Sequence, residues 1–337
     1  MAPLTNDRPR FPENGETALP CQAAVPEGNP ATRQRILVIR LSALGDFIMA
    51  LPAMAAIRLR HPDADITLLT TKPFAELGER SAWFNRVEVD PKPHWRDLSG
   101  WFRLRRILRA GRFDRIYDLQ AQDRTALYFH LFWPFRKPEW SGIAFGSSHP
   151  HTDPARRYMH AYDIHAAQLR VAGIETIPPP DLSWLDEDVR RFGLASRFAL
   201  LIPGSAPHRP AKRWPIARYG MLASRLLDRG ITPVVLGAPD ERPLADAIRA
   251  LCPRARDLTG ETSLFTIAGL ARRAQLAIGN DTGPMHLIAI LGCPVVSLFS
   301  SESDPVRSAP RGKSVTVIRR DDLANLSVDE VMAAVGG

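Results

Sequence analysis

From Arg35 onward, short apolar runs alternate with longer stretches whose apolar residues recur every three or four positions. RILVIRL is followed by DFIMALPAMAAIRLRH, DITLLTT by a helical stretch near 73–82 and then by VEVD; FDRIYDLQ at 113–120 reads as a further strand and TALYFHLFW as the helix after it. Short aliphatic runs alternating with amphipathic helices predict βαβ units around a parallel sheet. The rhythm breaks at GIETIPPPDLSWL, residues 173–185, where three consecutive prolines favour extended geometry and act as a spacer. It restarts with FALLIPGS, WPIARYGMLASRLLDRG, TPVVLGAP, ERPLADAIRALCP, LFTIAGLARRA, QLAIGND, MHLIAILG and PVVSLFS. The pattern predicts two α/β domains, residues 34–175 and 176–337, with a cleft between them. Residues 1–33, rich in Pro, Gly, Asn and Glu and without periodicity, are expected to be a disordered tail.

Composition narrows the class. With 337 residues and 45% hydrophobic content the chain can bury the cores of two domains. No apolar run reaches the roughly 18–20 residues of a membrane span, and the N-terminus lacks the apolar segment of a secretory leader, so a soluble cytoplasmic protein is expected. Cys21, Cys252 and Cys293 are far apart, with no CxxC and no nearby histidine, which argues for plain thiols rather than a zinc site or disulfides. The net charge of +8 and pI near 9.8 call for an acidic partner: nucleic acid, an anionic membrane surface or a phosphorylated small molecule. WFRLRRILRAGR at 101–112 has helical spacing and reads as a solvated face with arginine stems over the core; its charge also suits a membrane surface or a polyanionic acceptor.

In open α/β sheets ligands bind beyond the carboxyl ends of the strands, so the residues just after strands carry the interest. Three such turns stand out. In RLSALGDFIMALPA, residues 40–53, Gly45 and Asp46 fall at a strand-to-helix turn, where Asp46 either caps the helix or acts on a ligand; Pro52 is expected near the first turns of that helix. In IPGSAPHRPAKRWP, residues 202–215, the small residues Gly204 and Ser205 let backbone amides approach an anion and Lys212 follows as a cation: a phosphate cradle, or else a basic surface loop. In LAIGNDTGPMHLIAILG, residues 276–292, Asp281, Thr282 and Gly283 sit at a turn, Pro284 opens a helix and His286 lies in its first turn, placed to donate to a phosphate. No GxGxxG follows either leading strand, which counts against a dinucleotide oxidoreductase, and no GxSxG elbow suggests a hydrolase. Asp63-Ala64-Asp65 spells DxD but precedes a strand, and Asp186-Glu187-Asp188 reads as a helix start; no metal is expected.

These turns, with LGAPDE at 236–241 and the continuation through GCPVVSLFS, resemble glycosyltransferase family 9, which includes the ADP-heptose:lipopolysaccharide heptosyltransferases, over about residues 35–320. The resemblance implies the GT-B fold: two Rossmann-like doubly wound parallel-sheet domains facing a central cleft, the first holding acceptor and the second donor. It implies that Asp46 is the general base and that Lys212 binds phosphate. Asp281, Thr282, Gly283 and His286 would hold the donor diphosphate beside Gly204 and Ser205, and Glu241 would contact the donor nucleoside. Ser42, Gly45, Gln120 and Arg124 would lie on the acceptor side. One departure is Ser300-Ser301-Glu302-Ser303-Asp304-Pro305, where the family has a Gly-Pro-Thr-Asp-Pro-like turn.

The implied activity is inverting transfer of a heptose from ADP-heptose to an anionic lipopolysaccharide core glycolipid, without metal or cofactor. The enzyme would be cytoplasmic, peripheral to the inner face of the inner membrane, and would not bind nucleic acid. A carboxylate at a helix N-terminus is a weak base, but an oxocarbenium-like transition state needs the hydroxyl proton removed only late. Alternatives are a family 9-like transferase with another donor or a protein or glycan acceptor, a GT-B sugar-nucleotide epimerase or hydrolase, and a noncatalytic polyanion-binding module.

Overall fold

The computed structural model describes residues 33–135 and 137–335; the tail expected over 1–33, with Cys21, lies outside the described residues except for Arg33. The first half contains β1 (Arg35–Ile39), α1 (Leu44–Arg60), β2 (Asp65–Thr70), α2 (Lys72–Arg80), β3 (Arg86–Val89), α3 (Leu98–Ala110), β4 (Arg115–Asp118), α4 (Asp123–His130), β5 (Glu139–Gly142), β6 (His149–Pro150) and α5 (Ala161–Val171). The second contains β7 (Phe198–Ile202), α6 (Ile216–Asp228), β8 (Thr232–Val235), α7 (Arg242–Leu251), β9 (Arg256–Asp257), α8 (Leu264–Ala271), β10 (Leu276–Asn280), α9 (Gly283–Ile290), β11 (Val295–Phe299), α10 (Pro305–Ser308), β12 (Val315–Arg319) and α11 (Val328–Val335).

Each half is a six-stranded sheet, ordered β3-β2-β1-β4-β5-β6 and β12-β11-β10-β7-β8-β9. Every strand pair is parallel. Both orders are the doubly wound Rossmann arrangement, in which the direction of winding reverses between two central strands and opens a crevice at their carboxyl ends. That reversal falls between β1 and β4 in one sheet and between β7 and β10 in the other. Strands covered on both faces read as continuous apolar runs; β7, β10 and β11 are buried at every position, whereas the edge strands β3 and β12 are largely exposed.

One apolar core runs through both halves. Ile36, Val38, Phe47 and Met54 of the first share it with Leu200, Met285, Leu287 and Ile288 of the second, while separate clusters fill the outer face of each sheet. α1 and α9 form its centre. Pro52 is the one misplaced helical landmark: α1 begins at Leu44, so Pro52 lies in its interior rather than its first turns. Its missing N–H leaves the carbonyl four residues earlier without its helical donor, and the surrounding burial of α1 from Phe47 to Arg58 keeps the helix continuous. Asp186-Glu187-Asp188 does precede a helix, a single 3-10 turn at Arg190–Phe192: Asp188 Oδ1 accepts the Arg190 N–H at 2.9 Å, and the Glu187 carboxylate accepts from the Ser263 and Thr266 hydroxyls at the start of α8.

Candidate functional site

The turns after the two pairs of central strands lie at the reversal points and carry most of the residues singled out in the sequence. In the second half, Gly204 follows β7 so closely to Glu241 that a Cβ there would fall 1.9 Å from Glu241 Oε1. Glu241 Oε2 accepts the Ala238 N–H at 2.9 Å, which fixes the LGAPDE turn against the Gly204 loop. Lys212 Nζ meets Asp281 Oδ2 at 2.5 Å, with both side chains largely buried. Asn280, buried at the end of β10, ties three segments together: its amide donates to Pro203 O at 2.7 Å, and its oxygen accepts from Trp214 N at 3.0 Å and Tyr219 Oη at 3.1 Å. Lys212 thus has a fixed root.

No side chain caps the N-terminus of α9 at Thr282, with Pro284 in its first turn, so its first amides and the positive end of its dipole are available to an anion. Ser205 Oγ and His286 Nδ1 are buried here without a hydrogen-bond partner, a costly state unless a ligand supplies the partner. Burial pushes the His286 imidazole down to about 4, against the pull of Asp281 and Asp46. At neutral pH it is therefore an uncharged donor, and the charge of the cradle comes from Lys212.

In the first half, Asp46 both caps and faces the cleft. Its Oδ2 lies 3.3 Å from Ala43 N and 3.3 Å from Arg40 Nη2, and its side chain is 45% exposed. Arg40 is buried beneath it, donating to Leu119 O at 2.6 Å. The Gln120 oxygen accepts from Leu41 N at 2.9 Å and Ser42 N at 3.2 Å. Gln120 therefore braces the turn that presents Asp46, and only its NH2 group is left for an acceptor. Arg124 is likewise committed to scaffold: it donates to Tyr128 Oη at 3.0 Å and Pro93 O at 2.7 Å.

The two halves meet at these turns. A Cβ on Gly45 would lie 2.9 Å from His286 Cδ2, and one on Gly283 would lie 2.8 Å from Leu44 Cβ. A second bridge joins His160, whose Nε2 is 2.8 Å from Ala309 O, and Asp163, held by Arg311 at 2.9 and 2.6 Å. Because His160 Nδ1 accepts the Tyr162 N–H, Nε2 is the nitrogen that carries the proton.

Sequence reasoning missed the buried polar layer behind Asp46. Asp118 Oδ1 accepts Ala121 N at 3.0 Å, its Oδ2 has no partner, and burial pushes its carboxyl up to about 6. His165 is buried from α5, its imidazole pushed down to about 3 by desolvation and by Arg40 and Arg156. The available signal was Arg40, a charge directly after four buried strand residues, and the spacing of His160, Asp163 and His165 at a helix start.

Asp63 and Asp65 lie at the amino end of β2, opposite these turns, and Asp65 pairs with Arg86 at 3.1 Å. Among the described residues no group of three or more His, Cys, Asp or Glu is arranged to hold a metal ion. A hollow of about 460 Å³ lined by Val189, Gly193, Phe198 and Arg273 sits at the amino end of β7, again away from the turns.

Comparison with known proteins agrees with this arrangement. The chain is 28% identical over 312 residues to lipopolysaccharide heptosyltransferase 2 of Escherichia coli K12, covering 85% of this chain and 88% of that one. It superposes on the structure of E. coli ADP-heptose lps heptosyltransferase II with a TM-score of 0.72 at 24% identity, covering 90% and 98% of the two chains. It superposes on E. coli heptosyltransferase WaaC with ADP-2-deoxy-2-fluoro heptose with a TM-score of 0.71 at 20% identity, covering 90% and 99%. The family model described as Glycosyltransferase family 9 (heptosyltransferase) matches residues 101–332. With that match spanning most of the protein, the chain belongs to glycosyltransferase family 9.

Proposed function

We propose that this family 9 enzyme transfers a heptose from ADP-heptose to an anionic lipopolysaccharide core acceptor, with inversion at the anomeric carbon and without a metal ion. The observation that carries the reading is the apposition of the two turns: Lys212, Asp281, His286 and the uncapped α9 terminus on one side, and Asp46 on the other. As the bond from the anomeric carbon to the diphosphate oxygen breaks, negative charge grows on the leaving ADP. Lys212, the α9 amides and a neutral His286 N–H are fixed donors for that charge, the role a divalent cation fills elsewhere. The acceptor oxygen forms the new bond from the opposite face and its proton passes to Asp46, which Arg40 and the Ala43 N–H hold in place. The relative bound to an ADP-heptose analogue supports ADP as the nucleotide.

The test is calorimetric titration of the purified protein with ADP, UDP, GDP and CDP, each with and without EDTA. Selective ADP binding that survives EDTA is expected. Selective binding of another nucleotide would replace the donor, loss of binding in EDTA would overturn metal independence, and binding of none would favour a noncatalytic polyanion module.

A further inference from the structure

Each exposed Trp, Phe and Tyr side chain among the described residues belongs to the first half: Trp95, Phe102, Trp133, Phe135, Phe145 and Tyr158. Several lie on or beside α3. That helix buries Leu104 and Leu108 on the sheet side, while Leu98, Phe102, Arg105 and Arg109 recur at spacings of four, three and four and so form a second stripe. Leu98 is 70% exposed and Phe102 67%. The stripe continues into the segment after α4: Arg105 donates to Leu131 O at 3.0 Å and Trp133 O at 2.9 Å, and the Arg109 guanidinium lies 3.8 Å from the Phe135 ring centre. Trp133 is itself 70% exposed.

Charge surrounds this apolar face. Residues 93–112 contain six arginines, at 96, 103, 105, 106, 109 and 112, against one acid, Asp97. Asp97 is spent on capping α3 through Gly100 N. Arg96, Arg103, Arg106 and Arg109 are exposed. Exposed aromatic and leucine side chains ringed by arginine are the composition of surfaces that sit in a bilayer interface, where the rings enter the headgroup boundary and the guanidinium groups meet anionic lipid. Opposite charge within a Debye length favours such a partner, and a second copy of the same cationic face would be repelled.

We propose that the α3 face, with Trp95 just ahead of the helix and Trp133 held by Arg105, docks on an anionic phospholipid bilayer. The position of the face gives it a function: Arg124, just after β4, donates to Pro93 O and its guanidinium lies 5.4 Å from the Trp101 ring centre. The docking face is thereby joined to the strand end whose Gln120 braces the Asp46 turn. A glycolipid acceptor standing in the same membrane would meet the cleft from its first-half side. This role rests on the glycolipid reading of the acceptor, but lipid binding itself does not.

The experiment is flotation of the full chain with vesicles of phosphatidylethanolamine and phosphatidylglycerol, compared with phosphatidylcholine alone, in the absence of any acceptor or nucleotide. The wild type is expected to float with the anionic vesicles and to lose binding at least tenfold in high salt. Phe102→Ser with Trp133→Ser, and separately Arg103→Glu with Arg106→Glu, should each reduce binding at least tenfold while ADP titration remains unchanged. Met221→Ser, an exposed position in the second half, should change nothing. Absence of wild-type flotation, equal flotation of all variants, or a wild-type dimer that these variants convert to monomer would overturn the proposal. ADP binding without flotation sinks the docking face alone; flotation without nucleotide binding sinks the transferase reading alone.

Discussion

Gly45 and His286 touch across the cleft so closely that a methyl group at position 45 would lie 2.9 Å from the imidazole Cδ2. The turn after β1 therefore sets where His286 stands, and a change at either is felt at both. Gly45→Ala is expected to displace His286 and open the seam between α1 and α9. A misplacement of about 1 Å can cost about a hundredfold in rate, whereas overpacking costs only about 1–3 kcal/mol of stability. Turnover should fall by that order with a modest drop in Tm. Unchanged turnover would detach His286 from the reaction.

Gly204 and Glu241 stand in the same relation within the second half. A methyl at 204 would overlap the Glu241 carboxylate at 1.9 Å, so Gly204→Ala must expel that side chain from its hydrogen bond to Ala238 N. The expected result is at least about tenfold weaker ADP binding, roughly 1.4 kcal/mol. Glu241→Ala should weaken binding by a similar factor, and the double variant should be no worse than either alone, because residues in contact are not additive. Additive losses in calorimetric titration would show that the two residues act separately.

Asp46 and Lys212 should separate kinetically. On the proposed mechanism Asp46→Ala removes the proton acceptor, a contribution typically of about 10²–10⁴-fold in rate, and ADP affinity should stay near wild type because Asp46 lies on the other side of the cleft from Lys212. Lys212→Ala removes the buried cation and leaves Asp281 unpaired, so donor binding and turnover should fall together. Equal loss of ADP affinity in both variants would overturn that division of roles.

Most of the frame was legible because parallel strands buried on both faces must be apolar throughout, and glycine, proline and small polar residues mark the turns between them. Asp46, Lys212, Asp281 and His286 could be picked out because they follow predicted strand ends. Less legible was what each side chain does once placed. Gln120 follows β4 as expected, yet its oxygen is used by the backbone of Leu41 and Ser42, pairings across 79 and 78 residues that no local pattern encodes. Asp118 and His165 form part of the buried polar layer because β4 and α5 converge there, and α5 itself carries too little periodic signal to announce which face turns inward. The stripe of α3 was visible as helical spacing, and Arg103, Arg106 and Arg109 are exposed as its reading as a solvated face expected; what the spacing did not show is that Leu98 and Phe102 are exposed with them.

Acid stability should expose the buried layer. His165 is held at about 3 against an ordinary 6.5, and His286 at about 4; between those values and 6.5 the unfolded chain binds protons that the folded one refuses. Stability from these groups is therefore complete above about 6.5 and is lost as pH falls below it. Asp118 works in the other direction. Its carboxyl, raised to about 6 from 3.8, takes up a proton in the folded state first, which adds stability as pH falls from 6 towards 3.8. Thermal melts from pH 7 to 5 should show a falling Tm that is shallower in His165→Gln, which no longer has an imidazole to charge. In Asp118→Asn the fall should be steeper, because the compensating proton uptake is gone. Identical pH dependence in the wild type and both variants would mean that neither group titrates differently on folding, and the buried polar layer would then have no part in the acid response.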